Sequence, residues 1–250
     1  MFKNVALLVL SFIYTLNAQN DSIYFIRSGS VIHQESLNQI DSIIFMRPDN
    51  YQYGTFTDPR DNQTYPTVTI GTQEWMAANL AYLPSVNAPT SSSASTPYYY
   101  VAQYTGTNPV EARSSINYLN YGVLYNFKAA ITACPTGWHL PDTSEYSALI
   151  NHFGDWTIAG GKLKETGNTY WNSPNLSATN ESGFSARAGG QYTAQTDGFR
   201  NIGTFGQYWS STREGSIVAN SYCIHYNSPM IVKSIYFLEY GFSVRCVRNQ

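Results

Sequence analysis

Only one stretch of this chain carries a complete helix signal, and that scarcity constrains the fold more than any other feature. In "LPDTSEYSALINHFG", Leu140–Gly154, Asp142 stands as an N-cap with Glu145 three residues on, so each side chain can take up a free backbone N–H of the first turn. Tyr146, Leu149, Ile150 and Phe153 follow at the spacing of one apolar stripe, and Gly154 ends the segment as a C′ glycine. Elsewhere short aromatic and β-branched runs alternate between glycine, asparagine and proline, the pattern of strands and turns. The expectation is an α+β domain, β-rich, with long loops and one or two helices.

The strand signals divide the chain. "DSIYFIR", Asp21–Arg27, returns as "DSIIFMR", Asp41–Arg47, each with Ile and Phe two apart on one face. "SGS", Ser28–Ser30, reads as a turn between them. Residues 19–56 are therefore predicted to be a short N-terminal β segment of two or three strands with a linker, and residues 57–250 the main domain. Within the latter, "YPTVTIGTQEWMAANL", Tyr65–Leu80, reads as two strands about a turn at Gly71-Thr72. Asn87–Pro97 is a polar loop, and "YGVLYNFKAAITA" begins as a strand and runs on as a helix toward Cys134. The terminal "YGFSVRCVRN" places Phe242, Val244 and Cys246 on one side of a strand and Ser243 and Arg245 on the other.

Residues 1–18 have the form of a signal peptide. Lys3 precedes an apolar run from Val5 to Leu16, too short to span a bilayer, and Leu16-Asn17-Ala18 offers a cleavage site. The chain is thus expected to be exported, to the periplasm, the cell surface or the medium, and not to span a membrane. The remaining ~230 residues suffice for one domain with a core. A net charge of −2, with lysine and arginine scattered, excludes nucleic acid as a partner class.

Export permits disulfides. Cys134 precedes the capped helix, Cys246 lies on the apolar side of the terminal strand, and Cys223 is the third. The preferred pair is Cys134–Cys246 with Cys223 free; three buried thiols are the alternative. A loop of about 110 residues closed in this way stabilises by roughly 4–5 kcal/mol in the chain-entropy picture.

The blocks "DPRDNQTYPTVTIGTQEWMAANL", "YGVLYNFKAA", "CPTGWHLPDTSEYSAL", "AGGKLKETG", "GFSARAGGQY", "YWSST" and "GFSVRCVR" occur in this order from about Thr57 to Arg248. In this they resemble the Fibrobacter succinogenes major paralogous domain family of Bacteroidota and relatives. Tyr146 stands where that family usually has tryptophan. The resemblance implies a C-type lectin-like fold, shared with formylglycine-generating enzymes, on a secreted or surface protein.

The chemistry favours binding over catalysis. Formylglycine-generating oxidases need two reactive cysteines close together, whereas Cys223 and Cys246 are far apart in sequence and Cys246 has a structural use. His33, His139, His152 and His225 show no metal-ligand spacing, and His139, between Trp138 and Leu140, reads as a structural corner. Tyr170–Asn172 and Ser173–Asn175 only echo the calcium-binding motifs of sugar-binding lectins, with Glu181 and Asp197 the nearby acids, so neither metal nor cofactor is expected. The reading is a non-enzymatic binding domain for a glycan or a surface protein. Its candidate contacts are the loop aromatics Tyr170, Trp171, Tyr192, Phe199, Tyr208 and Trp209. Core packing is the competing role for all six, most of all for Trp209. The alternatives are a structural component of a surface fibre or adhesin and, less favoured, a formylglycine-generating-type or glycan-active enzyme.

Overall fold

The computed structural model describes residues 22–27, 30–36, 51–193 and 198–249. Residues 1–18, expected from the sequence to be a signal peptide, lie outside these residues. The chain forms two compact units, Met1–Pro48 and Asp49–Gln250.

In the first unit β1 (Ser22–Arg27) pairs antiparallel with β2 (Ser30–Ser36), with an irregularity between Phe25 and Ile26. The partner of the first "DSIYFIR" copy is thus "SVIHQES", which the sequence reading passed over. The second copy, Asp41–Arg47, lies outside the described residues.

In the second unit β3 (Tyr53–Thr57), β4 (Thr64–Ile70) and β5 (Gln73–Met76) form an antiparallel meander. The pairing of β3 with β4 puts the start of this unit before residue 57, the boundary expected from the sequence. The chain continues through β6 (Tyr99–Tyr100), α1 (Pro109–Arg113), α2 (Ile116–Tyr121), β7 (Leu124–Tyr125), α3 (Phe127–Ala130) and β8 (Trp138–His139). Then come α4 (Thr143–His152), α5 (Ala159–Leu163), β9 (Gln191–Thr193), β10 (Gly198–Arg200), β11 (Phe205–Arg213), β12 (Val218–His225), β13 (Ile231–Phe237) and β14 (Val247–Arg248). The first sheet has the order β3-β4-β5-β14-β8, so the C-terminal strand completes the sheet begun at the start of the unit. Val247 pairs with Trp75 on one side and His139 on the other. A second sheet, β11-β12-β13, is antiparallel throughout, and β6–β7 and β9–β10 are separate two-stranded pairs.

Helix α4 forms where its sequence signal places it. Asp142 accepts from the Glu145 backbone N–H, Glu145 reaches back to the Asp142 N–H, and Tyr146, Leu149 and Ile150 are buried. Helix α5 carried no such signal, because its sequence is Ala-Gly-Gly-Lys-Leu. Its glycines answer to packing: a Cβ on Gly160 would stand 2.2 Å from the Met230 carbonyl oxygen, and one on Gly161 2.6 Å from that of Ser177. Close backbone approach overrides helix propensity there.

Among the described residues, the two larger of three apolar clusters fill most of the second unit, the third being Tyr100, Ala102, Leu124 and Tyr192. One gathers Tyr65, Met76, Tyr125, Phe127, Trp209 and Cys246; the other packs Trp75, Tyr146, Leu149, Trp171, Phe184 and Tyr208. Cys134 and Cys246 are joined as expected, and Cys223 is a buried free thiol whose pKa burial pushes up to about 12. The terminal segment departs from the simple two-sided reading: Ser243 and Arg245 are as buried as Phe242 and Val244. Both of its sides are covered, and Arg245 is accommodated by hydrogen bonds to Asn79 and to the carbonyls of Met76, Phe184 and Ser185.

Candidate functional site

Most of the aromatics expected to line a binding surface are core. Trp171, Tyr192 and Tyr208 are each 1% exposed and Trp209 0%, which removes all four as surface contacts. Their polar tips show why they are inside. Trp171 Nε1 donates to the Ala186 carbonyl at 2.8 Å, Trp209 Nε1 to that of Tyr125 at 2.7 Å, the Tyr208 hydroxyl to that of Arg187 at 3.1 Å and the Tyr192 hydroxyl to that of Pro89 at 2.9 Å. A domain with so much irregular backbone has many buried carbonyls needing donors, and Tyr and Trp supply a donor together with apolar area. Tyr170 and Phe199 are half-buried and lie in different surroundings. The Arg187 guanidinium covers the Tyr170 ring at 3.7 Å, while Phe199 packs on Tyr192, which stacks on Tyr100 at 3.9 Å. The six therefore do not converge on one site.

A different place does. An open trough of about 650 Å³ runs between the outer side of α4 and the β12–β13 pair. Thr143, Ser144, Ser147, Ile150 and Asn151 line it from the helix, and Tyr222, Ile231 and Lys233 line it from the strand pair. Asp155, Trp156 and Val232 complete the lining. Trp156 is 55% exposed. Its backbone is fixed, because its carbonyl accepts from the Ile231 N–H at 2.9 Å. Asp155 makes a tight turn by accepting from the Thr157 N–H at 2.7 Å and from the Thr157 hydroxyl, and these bonds hold its carboxyl below the usual range. Tyr222 is anchored by stacking on Tyr146 at 4.1 Å. Ser144 and Ser147 spend their protons on Asp142 Oδ1 and the Thr143 carbonyl, both at 2.7 Å, so their oxygens can act toward a ligand only as acceptors. The Asn151 amide and the Lys233 ammonium supply donors, so the lining offers both hydrogen-bond senses around one flat ring.

Trp156 was missed at the sequence level although a signal exists. It continues the spacing of the α4 stripe beyond Phe153, but Gly154 has already ended the helix and polar residues flank it. A tryptophan at the expected phase of a helix that has stopped is not carried into the core by that helix.

His139, His225, Lys164 and Glu181 have structural partners. His139 meets Asn249 Oδ1 at 2.6 Å through Nδ1 and Glu145 Oε1 at 2.7 Å through Nε2, tying the C-terminal segment to the α4 cap. His225 packs on Phe205 with ring centroids 4.0 Å apart, and its pKa is lowered by burial and by the neighbouring Lys164. Lys164 is buried, and its ammonium donates to the carbonyls of Leu176 at 2.7 Å and of His225 and Ser228 at 3.0 Å. Glu181 pairs with Lys162 at 3.1 Å, and Asp197 lies outside the described residues. Among the described residues no three His, Cys, Asp or Glu side chains gather as metal ligands, and no helix is long and apolar enough to cross a membrane.

The fold and site define a disulfide-clipped, β-rich α+β domain with buried cations inside and an open trough outside. Residues 68–248 match the Fibrobacter succinogenes major domain, and the chain belongs to that family. No curated protein and no solved structure matches it.

Proposed function

We propose that this protein is an exported, non-catalytic binding domain on a C-type lectin-like scaffold, and that it holds a glycan in the trough across Trp156. The single observation that carries this reading is the exposed Trp156 ring beside a wall of mixed donors and acceptors. The C–H face of a sugar ring is apolar and stacks on indole, while its edge hydroxyls need both donors and acceptors. The bonded Asp155 turn fixes the platform before ligand arrives, which lowers the ordering cost of binding. The disulfide favours an oxidising compartment, in keeping with the leader at residues 1–18.

The absence of catalysis in this reading rests on how the polar groups are used. His139, Lys164, Arg187 and Arg245 are spent on carbonyls and carboxylates within the fold. Screening the purified protein against a broad set of glycans and cell-wall polysaccharides tests the proposal. Binding that Trp156→Ala removes is expected; a bound glycan whose affinity ignores Trp156→Ala places the site elsewhere.

A further inference from the structure

Strand β13 is an edge: β12 pairs with it on one side, and among the described residues no strand pairs on the other. Its exposed side chains are unusually apolar for such a position. Val232, Ile235 and Phe237 are 40%, 54% and 40% exposed, and Ile217, which begins the adjoining strand region, is 60% exposed. Natural edges are normally blunted by charge, proline or a bulge, since an open ladder with apolar side chains invites another chain. Here the strand carries one charge, Lys233.

The strip has a polarity. Lys233, Ile235 and Phe237 alternate along β13 and so share a face, standing opposite Tyr222, Asn220 and Val218 of β12. Glu239 follows just beyond the strand. Neither Lys233 nor Glu239 has an ion-pair partner among the described residues. The order is thus cation, two large apolar side chains, anion. A two-fold axis through the middle of this strip reverses it, bringing Lys233 of one copy to Glu239 of the other at both ends and the Ile235–Phe237 pairs together between them. A side-by-side parallel arrangement sets like charge on like charge.

We propose that this strip is the interface of a homodimer, with a second copy of this chain as its occupant. The contact is isologous, the same patch used by both subunits. Because Val232 and Lys233 of this strand also line the trough, pairing places two troughs beside one interface, and a polymeric ligand that spans both gains avidity without new contacts. The dimer does not depend on the glycan reading, and its test reads association alone.

The test is sedimentation of the purified protein over a wide concentration range. A dimer that dissociates on dilution and weakens with salt is expected. Lys233→Glu and Glu239→Lys should each weaken association by about tenfold or more, because each puts like charges together twice, and the double reversal should restore it. Ile235→Lys should give a monomer, with circular dichroism confirming that the exposed substitution leaves the fold intact. A monomer at every concentration leaves the edge to a strand of another protein and overturns the proposal. So does a dimer indifferent to these changes, or a double reversal that fails to restore it.

Discussion

Arg245 Nε donates to Asn79 Oδ1 at 2.9 Å across 166 residues of chain, and both residues are buried. The same guanidinium reaches the carbonyls of Met76 at 3.1 Å, Ser185 at 2.7 Å and Phe184, and lies over the Phe184 ring at 4.4 Å. Its hydrogen bonds thus go to an amide and carbonyls, and burial lowers its pKa to about 10, still leaving it charged at neutral pH. Arg245→Met should cost about 3–5 kcal/mol, because several buried acceptors lose their donor at once. Arg245→Lys should recover only part, since an ammonium cannot reproduce the planar fork. Urea unfolding of the three proteins checks both; a Met variant as stable as the native chain contradicts the assigned role.

Lys164 gives a pH-dependent counterpart. Burial lowers its pKa to about 8, below the 10.5 of the free side chain. Between these values the unfolded chain holds the proton that the native chain has released, so the contribution of this group to stability rises with pH across that window. At neutral pH Lys164→Met should be less stable by about 2–4 kcal/mol, because the carbonyls of Leu176, His225 and Ser228 lose the ammonium as a donor. From pH 8 to 10 the gap between the native chain and the variant should widen. Thermal or urea unfolding at two pH values measures it, and a narrowing gap would show the sign to be wrong.

Cys134→Ala should destabilise by about 2–5 kcal/mol, since the bridge to Cys246 closes a segment of 112 residues. Cys223 should resist alkylation in the native state and react once the chain is unfolded, because burial keeps it a protonated thiol. Mass spectrometry before and after denaturation checks this: labelling of Cys223 in the folded protein would contradict its buried position.

What was legible in the sequence was whatever local chemistry decides. The α4 cap and stripe, the turn at Gly71-Thr72 and the cysteine pairing followed from spacing and placement. What was not legible depended on tertiary contacts. Helix α5 forms around glycines that only the neighbouring Met230 and Ser177 carbonyls require. The long strands β11 to β13 are interrupted by glycine or serine in sequence and are defined by one another. Four of the six aromatic candidates, Trp171, Tyr192, Tyr208 and Trp209, misled for one physical reason: a Tyr or Trp in a polar loop looks like a recognition residue, but the loop backbone needs that hydroxyl or indole N–H for itself. Tyr118 and Tyr125 show the same use, donating to the carbonyls of Ala81 and Tyr82 at 2.9 and 2.8 Å.

Trp156 and Trp171 should therefore behave as opposites. Trp171 is enclosed in the core, its indole bonded to the Ala186 carbonyl and the Lys164 ammonium 5.5 Å from its ring. Trp171→Ala should lose about 3–5 kcal/mol through the cavity it leaves, and any loss of binding should track loss of fold. Trp156 has its ring largely in solvent and its backbone held independently by Ile231. Trp156→Ala should change stability by no more than about 0.5 kcal/mol, and it should weaken glycan binding by more than about 1 kcal/mol. A soluble quencher should reach Trp156 emission in the free protein and be excluded by bound glycan. Unfolding curves, titration calorimetry and quenching on the same preparations separate the two residues. A Trp156→Ala protein that is well folded and binds as tightly as the native chain would remove the trough from the binding site.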